Sequence, residues 1–349
     1  MSATGTRKLP PSIAQALESL HFVVLSSLAA CGRRLSLQLQ RTRSLLPSLP
    51  RNATLSDFKS TEKALDIPAP DVACALSYSY DGDHLITYDD LPAPWRNNPF
   101  ISGGYRFIPL GRYPMLFASI FHLHNESLNI HTHLLPLLLW AVTFRATDTA
   151  EIVFSACTLA CLASSVVWHT MAGCAHRDAM KFCARVDYVG IGWLISASVA
   201  TIVHYGYACR PHLGYPFLAL CLCTALTGSV LPFMAWFDKH ENRLFRLAFF
   251  LVLVSSAIAP IAGIVVLHSM REMLDFIVPI LPTLLSCAIG IVFYAAHIPE
   301  RFLSDKWGRW LDHVGAGSHA IWHAFIVLGI SQWREGLATM RARAMCAAA

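Results

Sequence analysis

Seven apolar stretches dominate this chain, at about 128–144, 152–171, 186–205, 215–236, 244–267, 273–296 and 314–333. A helix must supply roughly 20 such residues to cross a hydrocarbon core. A spanning backbone must also satisfy its own polar groups, which helices do segment by segment. Most of the stretches reach that length, and the first does so only if it begins near Asn125. Pro260, Pro279 and Pro282 fall inside stretches and predict kinked or locally irregular helices there. Only 14% of residues are charged and 55% are hydrophobic, against a charged fraction of roughly a quarter in ordinary soluble domains. Mean hydropathy is +0.47. The expected fold is an all-α membrane protein, a seven-helix transmembrane bundle in the plasma membrane or an endomembrane.

Basic residues alternate along the loops. Arg177, Lys181 and Arg185 lie between spans two and three, Lys239, Arg243 and Arg246 between four and five, and Arg301, Lys306 and Arg309 between six and seven. The intervening loops hold only Arg145, Arg210 and Arg271. Positively charged short loops stay cytoplasmic, which predicts a cytoplasmic N-terminus and an extracytoplasmic C-terminus. Arg334, Arg341 and Arg343 in the tail oppose the rule but weigh less than three consistent loops. The net charge of +5 calls for no nucleic-acid partner, and no phosphate loop or nucleotide fingerprint is present.

Four regions follow from this pattern: a polar, largely disordered cytoplasmic arm at 1–85, a juxtamembrane segment at 86–125, the seven-helix domain at 126–336 and an extracytoplasmic tail at 337–349. Within the arm, 13–31 is apolar enough to resemble a signal peptide. Glu18 and His21 interrupt it and Arg33, Arg34, Arg41 and Arg43 follow it, so an amphipathic or disordered arm is expected. The segment from Tyr113 to Phe121 is too short to span and is expected in the interface. The 11 cysteines include no CxxC pair. Cys157 and Cys161, one helical turn apart, could bind metal, but thiols inside an apolar helix more often pack as small hydrophobes.

Two polar motifs stand out against the apolar background: Ser165-Val-Val-Trp-His169 and Ser318-His319-Ala-Ile-Trp-His323. Residues four apart share one helix face, and histidine within a membrane is costly without a partner or a function. The predicted topology places Ser165 and His169 at the cytoplasmic end of span two. It puts Asp187 at the start of span three and His319 and His323 at the start of span seven, all at one depth. Glu126, Asn129 and His133, at the start of span one, belong to the same layer. Three neutral imidazoles and a water make an open tetrahedral zinc site. Asp187 suits the shell around such a site as a base or an orienting group, and Ser165 could hold the water or a carbonyl. Ordinary interhelical hydrogen bonds are the competing account and suit any one histidine better; the converging set favours a metal. His204 and His268 sit at outer span ends, and His297 lies near the inner end of span six without being required.

These motifs resemble the progestin and adipoQ receptor family, also called the haemolysin III-related family. The likeness runs from near Ile86 to about Gly329. It includes Phe121-His-Leu-His-Asn-Glu126-Ser-Leu-Asn129-Ile-His-Thr-His133-Leu at span one. Ser165-x3-His169, Asp187-Tyr188-x-Gly190-Ile191 and Ser318-His319-x3-His323 follow in order. Asp90-Leu-Pro, Trp95-Arg96 and Ser102-Gly-Gly-Tyr105-Arg106 look closest to the fungal branch. His131 replaces the aromatic residue usual in the opening motif, and Ala320 stands where glutamine is common. The resemblance implies seven helices, a cytoplasmic N-terminus, and Zn2+ held by His169, His319 and His323 with Asp187 beside the metal-bound water. It also implies a role among ceramidase-type receptors, steroid-responsive receptors and fungal regulators of zinc and sterol homeostasis.

The functional expectation is a zinc-dependent intramembrane hydrolase of a lipid amide such as ceramide, with Asp187 as base and Ser165 positioning a reactant. Its partners would be a membrane lipid (a sphingolipid or a free fatty acid) and an extracellular ligand of unspecified kind. The alternative is a receptor or zinc and lipid regulator with a structural or sensory metal. A transporter ranks third, because the polar residues gather in one layer rather than along a path.

Overall fold

The computed structural model describes residues 69–237, 242–303 and 305–344. Most of the expected N-terminal arm, with its apolar stretch at 13–31, lies outside the described residues. All regular elements among the described residues are helices, joined by two isolated β-bridges. In chain order they are α1 (Pro70–Tyr78), α2 (Tyr113–Ala118), α3 (Ser127–Thr143), α4 (Thr149–Met171), α5 (Arg177–Gly206) and α6 (Pro211–Val230). There follow α7 (Arg243–Ser255), α8 (Ile258–Leu267), α9 (Met270–Ile277), α10 (Leu281–Ala296), α11 (Asp305–Val314) and α12 (Ser318–Ala342).

Five helical stretches are long and apolar enough to cross a membrane: Thr149–Met171, Arg177–Gly206, Pro211–Phe233, Leu244–Leu267 and Met270–Phe302. A sixth is reached if Lys306–Val314 and Ser318–Ala342, bent by 49°, count as one span. α3, at 17 residues, is shorter than these. The outward faces carry large apolar side chains: Leu135, Leu138 and Leu139 on α3, Val252 on α7 and Val266 on α8 are more than half exposed. Such a surface suits lipid rather than water. The chain is an integral multi-pass membrane protein.

Proline breaks two of the predicted spans. The 244–267 run divides between α7 and α8 at Ser256 and Ala257. Pro260 has no N–H to donate to the carbonyl four residues earlier, so the ladder opens one turn before it. The next run divides at the 3-10 turn Val278–Ile280, which contains Pro279. The last run differs at both ends from the sequence expectation. Its helix begins at Ser318 and continues to Ala342, well past 333.

Neighbours pack in the order α3, α4, α5 and α6, while α12 touches α3, α10 and α5. α5, which also touches α7 and α8, and α12 are the helices that join the two sides of the bundle. A Cβ placed on Gly190 of α5 would lie 2.5 Å from Ser164 Oγ and 2.9 Å from Cys161 Cα of α4, so those backbones need glycine to approach this closely.

The two ends of the bundle differ in chemistry. Where α3 and α12 finish, Trp140, Phe154, Val203, Phe276, Ile330, Trp333 and Leu337 form the main apolar core. That end is tied by Arg341 to Glu151 at 2.7 Å, by Tyr205 to Asp148 at 2.8 Å and by Arg334 over the Phe144 ring. Where α3, α5 and α12 begin and α4 finishes, the buried layer is polar: Ser127, Asn129, His133, Ser165, His169, Ser318 and His323.

The segment before α3 folds over that polar end. Its apolar cluster of Ala75, Ile86, Leu91, Trp95, Tyr105 and Phe107 includes Met180 of α5. Ile108 exchanges backbone hydrogen bonds with Gly173 and Ala175 in the α4–α5 connection, and Trp95 Nε1 donates to Cys174 O at 2.9 Å. The expected interfacial stretch forms α2 and a 3-10 turn, with Tyr113, Phe117 and Phe121 more than half exposed.

Candidate metal centre

Three of the predicted residues converge. His169 near the end of α4 and His319 and His323 in the first two turns of α12 each offer a ring nitrogen within 4.8 Å of the others. His169 Nε2 and His319 Nε2 are 3.3 Å apart. Zinc–nitrogen bonds of about 2.0–2.1 Å in a tetrahedron give an edge of about 3.3–3.4 Å. His323 closes the group, with its ring centroid 4.6 Å from that of His319 and 4.8 Å from that of His169.

The surrounding bonds decide which nitrogens are offered. His169 Nδ1 lies 2.8 Å from Glu126 Oε2, and a carboxylate can only accept, so Nδ1 carries the proton and Nε2 presents its lone pair. His323 Nδ1 donates to the Asn129 carbonyl at 3.0 Å, leaving its Nε2 bare in the same way. Asn129 Nδ2 in turn donates to Glu126 Oε2 at 2.6 Å. The carboxylate behind His169 and the carbonyl behind His323 are the usual support of a metal-binding histidine. The donor set and its backing fit a zinc ion.

Ser165 and Asp187 stand differently. Ser165, buried on α4, pairs its Oγ with His133 Nδ1 at 2.9 Å rather than with His169. Asp187 is half-buried at the end of the third turn of α5, three residues before Gly190 and thus towards the face packed on α4. It makes no hydrogen bond among the described residues, and it is outside the three-histidine group. His297 caps α10 in the left-handed conformation at φ 54° and is likewise outside the group. Cys161 is buried and Cys157 half-buried, and neither joins the group.

Sequence reasoning placed Glu126 and Asn129 at this depth without assigning them a partner; their spacing before His133 was the available signal. It missed Arg106. This buried side chain donates to Ser119 Oγ at 2.5 Å and to the His169 carbonyl at 2.7 Å, and it lies flat on Gly173. Burial lowers its pKa to about 10, so it stays charged at neutral pH. His124 joins the same shell: its Nε2 donates to Ser119 O and its Nδ1 accepts from Glu126 N. Burial, followed by the Arg106 charge, pushes this imidazole down to about 3 and keeps it neutral.

Two acids tie the segments around this end: Glu300 fixes the start of α12 and hence His319, and Asp312 on α11 holds the turn at Ser102 and Gly103. Glu300 accepts from the Ser318 amide at 2.8 Å, from the Ser318 hydroxyl and from Asn98 Nδ2 at 3.1 Å. Asp312 accepts from Ser102 N, Ser102 Oγ and Gly103 N at 2.8, 2.8 and 3.2 Å. Gly104 follows with φ 78° and no room for a Cβ beside the Asp312 carbonyl and Asn125, so the turn requires glycine.

Comparison with known proteins places this architecture among relatives. The profile of the family described as haemolysin-III related matches residues 121–333. An uncharacterised protein of Schizosaccharomyces pombe is 33% identical over 261 residues, covering 71% of this chain. The ADIPOR-like receptor IZH3 of Eremothecium gossypii is 30% identical, covering 70% of each chain. The adiponectin receptor protein of Drosophila melanogaster is 27% identical, covering 72% of this chain and 59% of its own. The chain spans 58% of the length of the S. pombe relative. The match covers α3 to the middle of α12, including all three histidines of the candidate group, and the chain belongs to the haemolysin-III related family.

Proposed function

We propose that this protein is a seven-span, zinc-dependent lipid amide hydrolase with its N-terminus and metal centre on the cytoplasmic side. The observation that carries the reading is the buried three-histidine group with His169 and His323 tautomers held by Glu126 and Asn129. α3 would serve as the first span, thinned to 17 residues and completed by the turn at Asn125 and Glu126. The loop charges orient the bundle. Bound zinc supplies a Lewis acid for the amide carbonyl and lowers the pKa of a water towards neutrality.

The chain's own groups do the rest. Asp187, with no hydrogen bond among the described residues, takes the proton from the attacking water and delivers it to the leaving amine. Water adds to the amide carbon, the C–N bond breaks, and a fatty acid and an amine result. Ser165 holds a reactant beside the histidines. The substrate class is a membrane amide of the ceramide type, with free fatty acid as product.

A receptor or zinc and lipid regulator is the second reading, favoured by the word receptor in the names of the IZH3 and Drosophila relatives. An extracellular ligand would then be the input and the metal would be structural or sensory. Turnover separates the two. Purified, zinc-loaded protein is expected to release fatty acid from a ceramide panel, and Asp187→Asn to lose at least about a hundredfold in rate with zinc content unchanged. No release by the loaded wild-type protein across several lipid compositions would favour the receptor reading.

A further inference from the structure

His133 is the buried histidine beside the metal group that belongs to no part of it. Its ring stacks on His323 with centroids 3.8 Å apart and planes 11° from parallel. Its Nδ1 meets Ser165 Oγ at 2.9 Å, while its Nε2, fully enclosed, has no hydrogen-bond partner among the described residues. One turn earlier on the same face of α3, Asn129 repeats the pattern. Its Nδ2 is used by Glu126, while its enclosed Oδ1 has no partner among the described residues. Asn129 is 7% exposed and His133 4%. Two enclosed, unsatisfied polar atoms beside one site are costly, and a ligand that pairs with both removes the cost.

The tautomer follows from Ser165. Its hydroxyl proton has no acceptor among the described residues other than His133 Nδ1, so Ser165 donates and Nδ1 accepts. A neutral imidazole then carries its proton on Nε2. The α3 face thus offers one donor, His133 Nε2–H, and one acceptor, Asn129 Oδ1. The group that complements one donor and one acceptor at once is a hydroxyl.

We infer that His133 and Asn129 form a subsite for a hydroxyl of the lipid, beside the histidine group and buttressed by Ser165. This rests on the reading of the site as one that receives a ceramide-type amide, and it assigns the side chains that recognise the alcohol beside that amide. His133 binds that alcohol and takes no part in holding metal.

Binding of three short-chain probes to the zinc-loaded, detergent-solubilised protein tests it: an N-acyl amino alcohol, its O-methyl ether and the matching deoxy amide. The ether can still accept from His133 but cannot donate to Asn129. The wild-type protein is expected to bind the alcohol about tenfold more tightly than either analogue. His133→Phe keeps a ring against His323 and removes both nitrogens. It should hold a full complement of zinc and lose the preference for the alcohol over the deoxy amide. Equal binding of the three probes by the wild-type protein, or binding of none of them, would overturn the subsite. So would an undiminished preference in His133→Phe, or loss of its zinc. If His133→Phe fails to fold, the wild-type series decides alone. An intact preference without any hydrolysis would sustain the subsite while rejecting the amidase.

Discussion

At the scale of single residues, Glu126 is the group whose role most exceeds its prominence. Its carboxylate receives the proton-bearing nitrogen of His169 and is itself steadied by Asn129. That arrangement sets both the tautomer and the ring plane of one histidine of the proposed zinc site, which is how groups behind a metal site tune it. Glu126→Gln keeps the size of the side chain but removes the charge that fixes His169 Nδ1–H. Zinc affinity, measured by chelator competition, is expected to fall about 10- to 100-fold, with the helical circular dichroism unchanged. Undiminished affinity would separate Glu126 from the metal centre. Residue types at helical spacing were enough to find His169, His319 and His323, because i,i+4 pairs in apolar helices are legible without coordinates. Arg106 was not legible. Its partner is the backbone carbonyl of His169, and every residue presents one, so no side-chain pattern marks the contact.

At the scale of elements, the position of Asp187, the proposed base, depends on how closely α4 and α5 approach. Gly190 permits that approach, and its neighbour one turn back is Asp187. A leucine at 190 would collide with Cys161 and Ser164 and force the helices apart. Gly190→Leu is expected to cost about 1–3 kcal/mol by overpacking, seen as a lowered unfolding temperature in detergent, and to reduce amide turnover by moving Asp187. Wild-type stability in that variant would mean the helices are not limited by this contact. The element boundaries show where sequence periodicity stops being informative. Apolar runs located the long helices, and Pro260 and Pro279 announced the breaks in the fifth and sixth runs. The extension of α12 to Ala342 was hidden, because Arg334, Glu335 and Arg341 made that stretch read as a tail. In the fold Trp333, Leu337 and Met340 bury one face of it, while Arg341 turns to Glu151. Polar residues on the other face of a helix end mask such a continuation in a hydropathy profile.

At the scale of the whole molecule, the protein is an asymmetric bundle with an apolar end and a polar, capped end. The juxtamembrane segment closes the capped end, held by Asp312, Glu300 and Arg106. Sequence alone foresaw a segment there. It did not foresee its docking, which rests on backbone bridges between Ile108 and the α4–α5 connection that carry no residue signature. The gathering of α3, α4, α5 and α12 at that end follows from topology once the spans are counted. The group they enclose is the core of the functional account. Metal content of the purified protein tests it most directly, by elemental analysis of the wild-type chain and of His169→Ala, His319→Ala and His323→Ala, each checked for folding by circular dichroism. The account predicts about one zinc per wild-type chain and loss of most of it in each variant. Folded variants that each keep a full equivalent of zinc, or a wild-type protein that binds none, would contradict it.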